Sequence, residues 1–166
     1  MASGDTLLVF TPYHNEPPAS LYATLDLRNS RPVLDFDGTA DEEAVFTAVL
    51  PRHYAGGGLT AALLVAFTSA TSGTSRWQAA IERVDVDGLD TDTDSFASFQ
   101  SNGLTAPGVS GRVGLCEIAL TPGSQMDSLV AGELFRLRIR RDADGTSGTD
   151  DIATDAELVA VELRET

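Results

Sequence analysis

The chain has 166 residues, a formal net charge of −14 and no lysine, so every basic charge is an arginine. That length suits one domain with a real core, and 42 % hydrophobic residues exclude wholesale disorder. A surface this acidic repels phosphate backbones and anionic membranes, so neither nucleic acid nor a membrane is an expected partner.

Arginine without lysine has two readings: a GC-rich coding sequence, or a planar fork kept for lasting contacts between subunits. The single cysteine, Cys116, excludes an intrachain disulfide and a multi-cysteine zinc site, and its apolar setting in Val113 to Leu120 reads as a small buried hydrophobe. No charged start followed by an apolar run suggests a secretory signal, and no apolar stretch is long enough to span a bilayer.

In chain order, residues 1–20 read as an extended N-terminal arm. The short apolar run Leu7-Leu8-Val9-Phe10 leads through Thr11-Pro12-Tyr13 to Pro17-Pro18, whose paired rings hold an extended path. Deleting such an arm is expected to leave a folded protein.

Residues 21–166 read as one β-sandwich domain. In Leu21 to Leu27 the leucines alternate, which predicts a strand with one buried face, followed by a strand at Val33 to Phe36. The centre of the chain, Glu43 to Val86, holds three consecutive strands: Val45 to Leu50, Leu59 to Thr68 after Gly56-Gly57-Gly58, and Arg76 to Val86 after the turn Thr71 to Thr74. The polar segment Asp87 to Gly111 is long enough to cross the top of a sandwich, anchored by Phe96, Phe99 and Leu104. Strands resume at Val113 to Leu120 and at Leu134 to Arg141, where Phe135, Leu137 and Ile139 oppose Arg136, Arg138 and Arg140. A last strand runs from Glu157 to Leu163. About eight antiparallel strands joined by crossing loops predict an all-β jelly-roll sandwich.

Catalytic and metal motifs fail on inspection. Leu34-Asp35-Phe36-Asp37-Gly38-Thr39 matches the D-x-D-G-T of dehalogenase-type phosphatases, but strands follow it where that doubly wound fold needs a helix, and no lysine exists to meet the phosphate. It reads as a D-G turn. The alternating carboxylates from Asp85 to Asp94 suit calcium, yet an EF-hand register from Asp90 puts Ser95 and Ser101 where glycine and glutamate belong. A solvated acidic loop is the plainer reading. His14 and His53 lie in no metal-spacing motif, and no G-x-S-x-G elbow occurs. The expectation is a protein that is not an enzyme and has no cofactor, catalytic residue or metal ligand.

Pro51-Arg52-His53-Tyr54, before the glycine run, places a cation, an imidazole and a phenol at a strand end. Arg and Tyr are over-represented where subunits meet. Together with Ala44 to Thr47, Thr68 to Gly73, Trp77, Glu82-Arg83, Gln125 to Leu129, Glu133 to Leu137 and Ala156 to Leu158, this segment resembles small β-sandwich proteins encoded among the virion genes of tailed bacteriophages.

The resemblance implies a jelly-roll capsid decoration (cement) protein, a homotrimer on the outer surface of the head, assembled in the host cytoplasm and bound to the major capsid protein at capsomer junctions. On that reading Phe10, Pro12 and Tyr13 of the arm, with Arg52, His53, Tyr54, Arg136, Arg138 and Arg140, are the expected contact residues. The alternative is a tail or baseplate module that binds a receptor or carbohydrate, and flat exposed rings would mark it. Trp77 alternates with Ala79 and Ile81 and is expected to be buried.

Overall fold

A computed structural model describes residues 4–166. It is a jelly-roll β-sandwich of two antiparallel sheets built from ten strands among the described residues. The strands are β1 Thr6–Phe10, β2 Thr24–Arg28, β3 Arg31–Phe36, β4 Glu43–Val49, β5 Leu59–Phe67, β6 Thr74–Val84, β7 Gln100–Thr105, β8 Gly114–Leu120, β9 Leu134–Arg141 and β10 Ala156–Glu165.

The larger sheet runs β2-β3-β10-β5-β8, and β1 adds to β10 beside β3. Thus one side of β10 is shared: Ala156 to Leu158 pair with β3, and Val161 to Arg164 pair with β1. Its other side pairs with β5 along nearly its whole length. The smaller sheet runs β4-β9-β6-β7.

The core lies between the sheets, where Phe36, Phe46, Phe67, Trp77, Phe135 and Ile139 are sealed from water. Trp77 packs edge-on against Phe36 at 5.0 Å and donates its indole N–H to Ser75 Oγ at 2.8 Å, which satisfies its one polar atom.

The expected arm is integral to the sandwich. Leu7 and Phe10 of β1 are buried in the common core, and Phe10 stacks on Phe46 with ring centroids 5.2 Å apart. A five-residue apolar strand gains more from ladder bonds and burial here than from lying free.

β2 departs from expectation in another way. It starts at Thr24 because Leu21 sits in left-handed backbone with φ 52°, and its leucine face is uncovered. Leu25 and Leu27 are 50 % and 60 % exposed, because β2 is the edge of the larger sheet and their side lacks a facing strand. β7 lies within the segment read as a crossing loop; only Leu104 of its residues is buried.

The D-x-D-G-T stretch is a turn, as its residues suggest. Asp37 Oδ1 accepts the Thr39 N–H at 2.6 Å, the Thr39 hydroxyl at 2.7 Å and the Ala40 N–H at 3.1 Å, and these bonds hold its carboxyl below the usual range. Gly38 is required there, since a Cβ would stand 2.4 Å from the Ala153 carbonyl oxygen.

Candidate functional site

The uncovered face of β2 forms one wall of a cleft of about 280 Å³. The chain between β1 and β2 supplies the other wall. Pro12 opens a short 3-10 turn, Pro12–His14, and is buried under it, while Tyr13 points outward and is 67 % exposed. The chain then fastens to the edge of β4: Asn15 bridges to Phe46, Glu16 N–H donates to the Val45 carbonyl at 2.7 Å, and Thr47 donates its hydroxyl to Glu16 at 2.7 Å.

Tyr22 bridges to Glu43 and is 46 % exposed. Ala23 N–H donates to the Glu43 carbonyl and Glu43 N–H to the Leu21 carbonyl, which fixes the backbone carrying the Tyr22 ring. Two tyrosines thus stand at a cleft floored by Leu25 and Leu34, on backbone pinned at both sides.

The other expected contact residues lie elsewhere. Phe10 is buried and cannot reach a partner. Arg52 and His53 are exposed past the far end of β4 and have no ion pair or hydrogen bond among the described residues. Tyr54 is buried, and its hydroxyl donates to the Gly57 carbonyl. A larger hollow of about 450 Å³ opens beside it against Pro122 and Val130, but among the described residues Tyr54 is the one aromatic ring that lines it, and it lies under cover.

Arg136, Arg138 and Arg140 form a ladder on the outer face of the smaller sheet, neutralised within the chain. Arg136 donates to Glu82 at 2.8 Å and to Asp94 at 2.7 Å; Arg138 lies 3.7 Å from Glu43; Arg140 donates to Gln78 at 2.6 Å. Phe96 lies under Arg136 and Arg138 at 5.0 and 4.2 Å, and Phe99 under Arg138 and Arg140 at 4.7 and 4.4 Å. The segment after β6 is therefore a strap held across the sheet by rings set between guanidinium planes.

Of the carboxylates from Asp85 to Asp94, Asp85 lies 3.4 Å from Arg83, Asp90 accepts the Asp92 N–H at 3.0 Å and Asp94 meets Arg136. Among the described residues, carboxylate oxygens gather within 4.8 Å of one another at Asp41, Asp142 and Asp144. Burial alone would raise the Asp142 carboxyl, but bonds from Ser147 and Thr146 outweigh it and hold it low. Those bonds account for the cluster as a loop brace.

No family model matches the chain, and no curated protein sequence matches it. Solved structures do. A family 35 carbohydrate-binding module from an environmental isolate superposes with a TM-score of 0.55 at 8 % identity, covering 95 % of this chain and 92 % of that one. The CBM22-2 xylan-binding domain of Paenibacillus barcinonensis Xyn10C superposes with a TM-score of 0.51 at 13 % identity, covering 92 % of each. The likeness is one of fold. It carries the jelly-roll sandwich, and it lends no support to the expectation of a capsid decoration protein.

The alternation of Leu21 to Leu27 puts Tyr22 on the wetter face, and nothing in it marks a cleft, because the bridge to Glu43 that sets the ring there joins distant parts of the chain.

Proposed function

We propose that the protein is a carbohydrate-binding β-sandwich module, a binder rather than a catalyst, and that its site is the cleft between Tyr13 and Tyr22. The observation that carries this reading is the pair of open tyrosine rings on rigid backbone at a cleft with an apolar floor. The C–H faces of a pyranose lie flat on such rings, while the phenol hydroxyls and amides beside them meet the sugar hydroxyls. The shared fold with carbohydrate-binding modules supports the reading without assigning a sugar.

The test is affinity electrophoresis and calorimetry against a panel of soluble polysaccharides, with the parent and with Tyr13→Ala and Tyr22→Ala. Retarded migration lost in both variants, at unchanged Tm, is the expected result. Parent-like binding by both variants moves the site elsewhere.

A second reading is a protein contact on a virion, as the sequence resemblance implies. The same patch favours it, since Leu21, Leu25 and Leu27 add exposed apolar surface beside the tyrosines. In that setting the partner is the major capsid protein or a second copy of the chain, and co-sedimentation with capsids tests it.

A further inference from the structure

We infer that the Tyr13–Tyr22 cleft selects uncharged glycan chains and that Asn15 is its fixed hydrogen-bond donor; this rests on the carbohydrate-binding reading above. Among the described residues, none that lines the cleft is Asp, Glu, Arg or His. The charged neighbours of its walls are mostly acidic. Glu16 follows Asn15 and Glu43 bridges to Tyr22, while Asp26 and Asp35, next to Leu25 and Leu34, point to the opposite face of the sheet and add only longer-range negative charge. Arg138 is the cation nearest Glu43 and is spent on it and on the Phe96 and Phe99 rings. His14, beside Tyr13, uses Nδ1 to accept the Thr11 N–H at 2.9 Å. A uronate or sulfate entering here would leave water for an acidic surface and meet no cation in the cleft.

Asn15 supplies what an uncharged sugar needs. Its Oδ1 accepts the Val45 N–H at 3.0 Å, so the amide cannot flip, and its backbone is bridged to Phe46. Its Nδ2 has no acceptor among the described residues, and Asn15 is one of the residues that line the cleft. Two N–H donors are therefore held ready for hydroxyl or ring oxygens before any ligand arrives. A site built to donate to a sugar oxygen discriminates strongly when that donor is removed.

The experiment uses the whole chain with arabinoxylan, galactomannan and mixed-linkage β-glucan as uncharged probes, and polygalacturonate and alginate as charged ones, at low and high salt. Binding confined to uncharged chains, indifferent to salt, is expected. Asn15→Asp keeps an oxygen for the Val45 N–H, so its Tm should match the parent, while its affinity for the best uncharged chain falls by about tenfold or more. Parent-like affinity in Asn15→Asp overturns the role of Asn15. Binding of a charged chain alone, abolished by Tyr22→Ala, overturns the selectivity and leaves the carbohydrate reading standing. Binding of no chain by folded protein overturns both.

Discussion

Arg141 grips Asp150 fork to fork, Nε to Oδ2 at 3.0 Å and Nη2 to Oδ1 at 2.9 Å, and neither side chain touches water. The remaining guanidinium hydrogens go to the carbonyls of Phe36, Asp37, Ile152 and Thr154. One residue thus ties the end of β3, the end of β9 and the loop that leads into β10, with each of its donors spent.

Asp150→Ala leaves that guanidinium buried and unpaired, so the expected loss is about 3–5 kcal/mol in urea unfolding. Arg141→Lys should cost a similar amount, because an ammonium cannot reproduce the planar fork. A loss below about 1 kcal/mol in both variants would mean the loop is braced by something else.

Asp35 provides a pH signature. It lies on the outer face of the larger sheet, opposite Thr24 and Glu157. Partial burial, with Glu157, Asp26 and Asp155 nearby, pushes its carboxyl from 3.8 up to about 6, while Arg28 is engaged with Glu157. Below 3.8 both folded and unfolded chains hold this proton; between 3.8 and about 6 only the folded chain keeps it. This group therefore costs stability as pH rises through that window. Asp35→Asn should melt higher than the parent near neutral pH, and the gap should close by about pH 4. An equal gap at both pH values rules the mechanism out.

Phe10 tests whether β1 belongs to the core. Phe10→Ala is expected to cost about 3–5 kcal/mol, and deleting residues 1–18 should abolish cooperative unfolding instead of yielding a trimmed, folded domain. Circular dichroism melts of both variants decide it.

Phe96→Ala with Phe99→Ala removes both rings of the arginine ladder. The two rings make four cation–π contacts, each contributing about 0.5–1 kcal/mol at an exposed site, so the double variant should lose roughly 2–4 kcal/mol overall. The larger effect is local. Backbone amides in the strap should exchange much faster while those of β6 and β9 keep their protection, a pattern read by hydrogen exchange.

Much of the sandwich was legible because its signals are local. Phe135, Leu137 and Ile139 alternate with three arginines, and the structure separates them to the two faces of β9. Trp77 is buried as its apolar neighbours indicate, and Cys116 is buried too. What stayed hidden depends on partners far away in the chain. A run like Leu7 to Phe10 reads equally as arm or strand until β10 is placed beside it. The leucines of β2 look like core residues whether or not another sheet reaches over them. Gln100 to Thr105 has almost no apolar pattern, since it is an edge strand whose pairing with β6 is carried by backbone bonds. The tyrosine cleft is where two such non-local facts meet.

The place of β10 sets a schedule for the molecule's own making. It is synthesised after the other nine strands, yet it joins β1, β3 and β5. Until it leaves the ribosome, the larger sheet is split and the inner faces of β3 and β5 have no common frame. The nascent chain must then hold its apolar strands unclosed until β10 emerges, and β1 and β10, the strands farthest apart along this sequence, become partners in a single closing event.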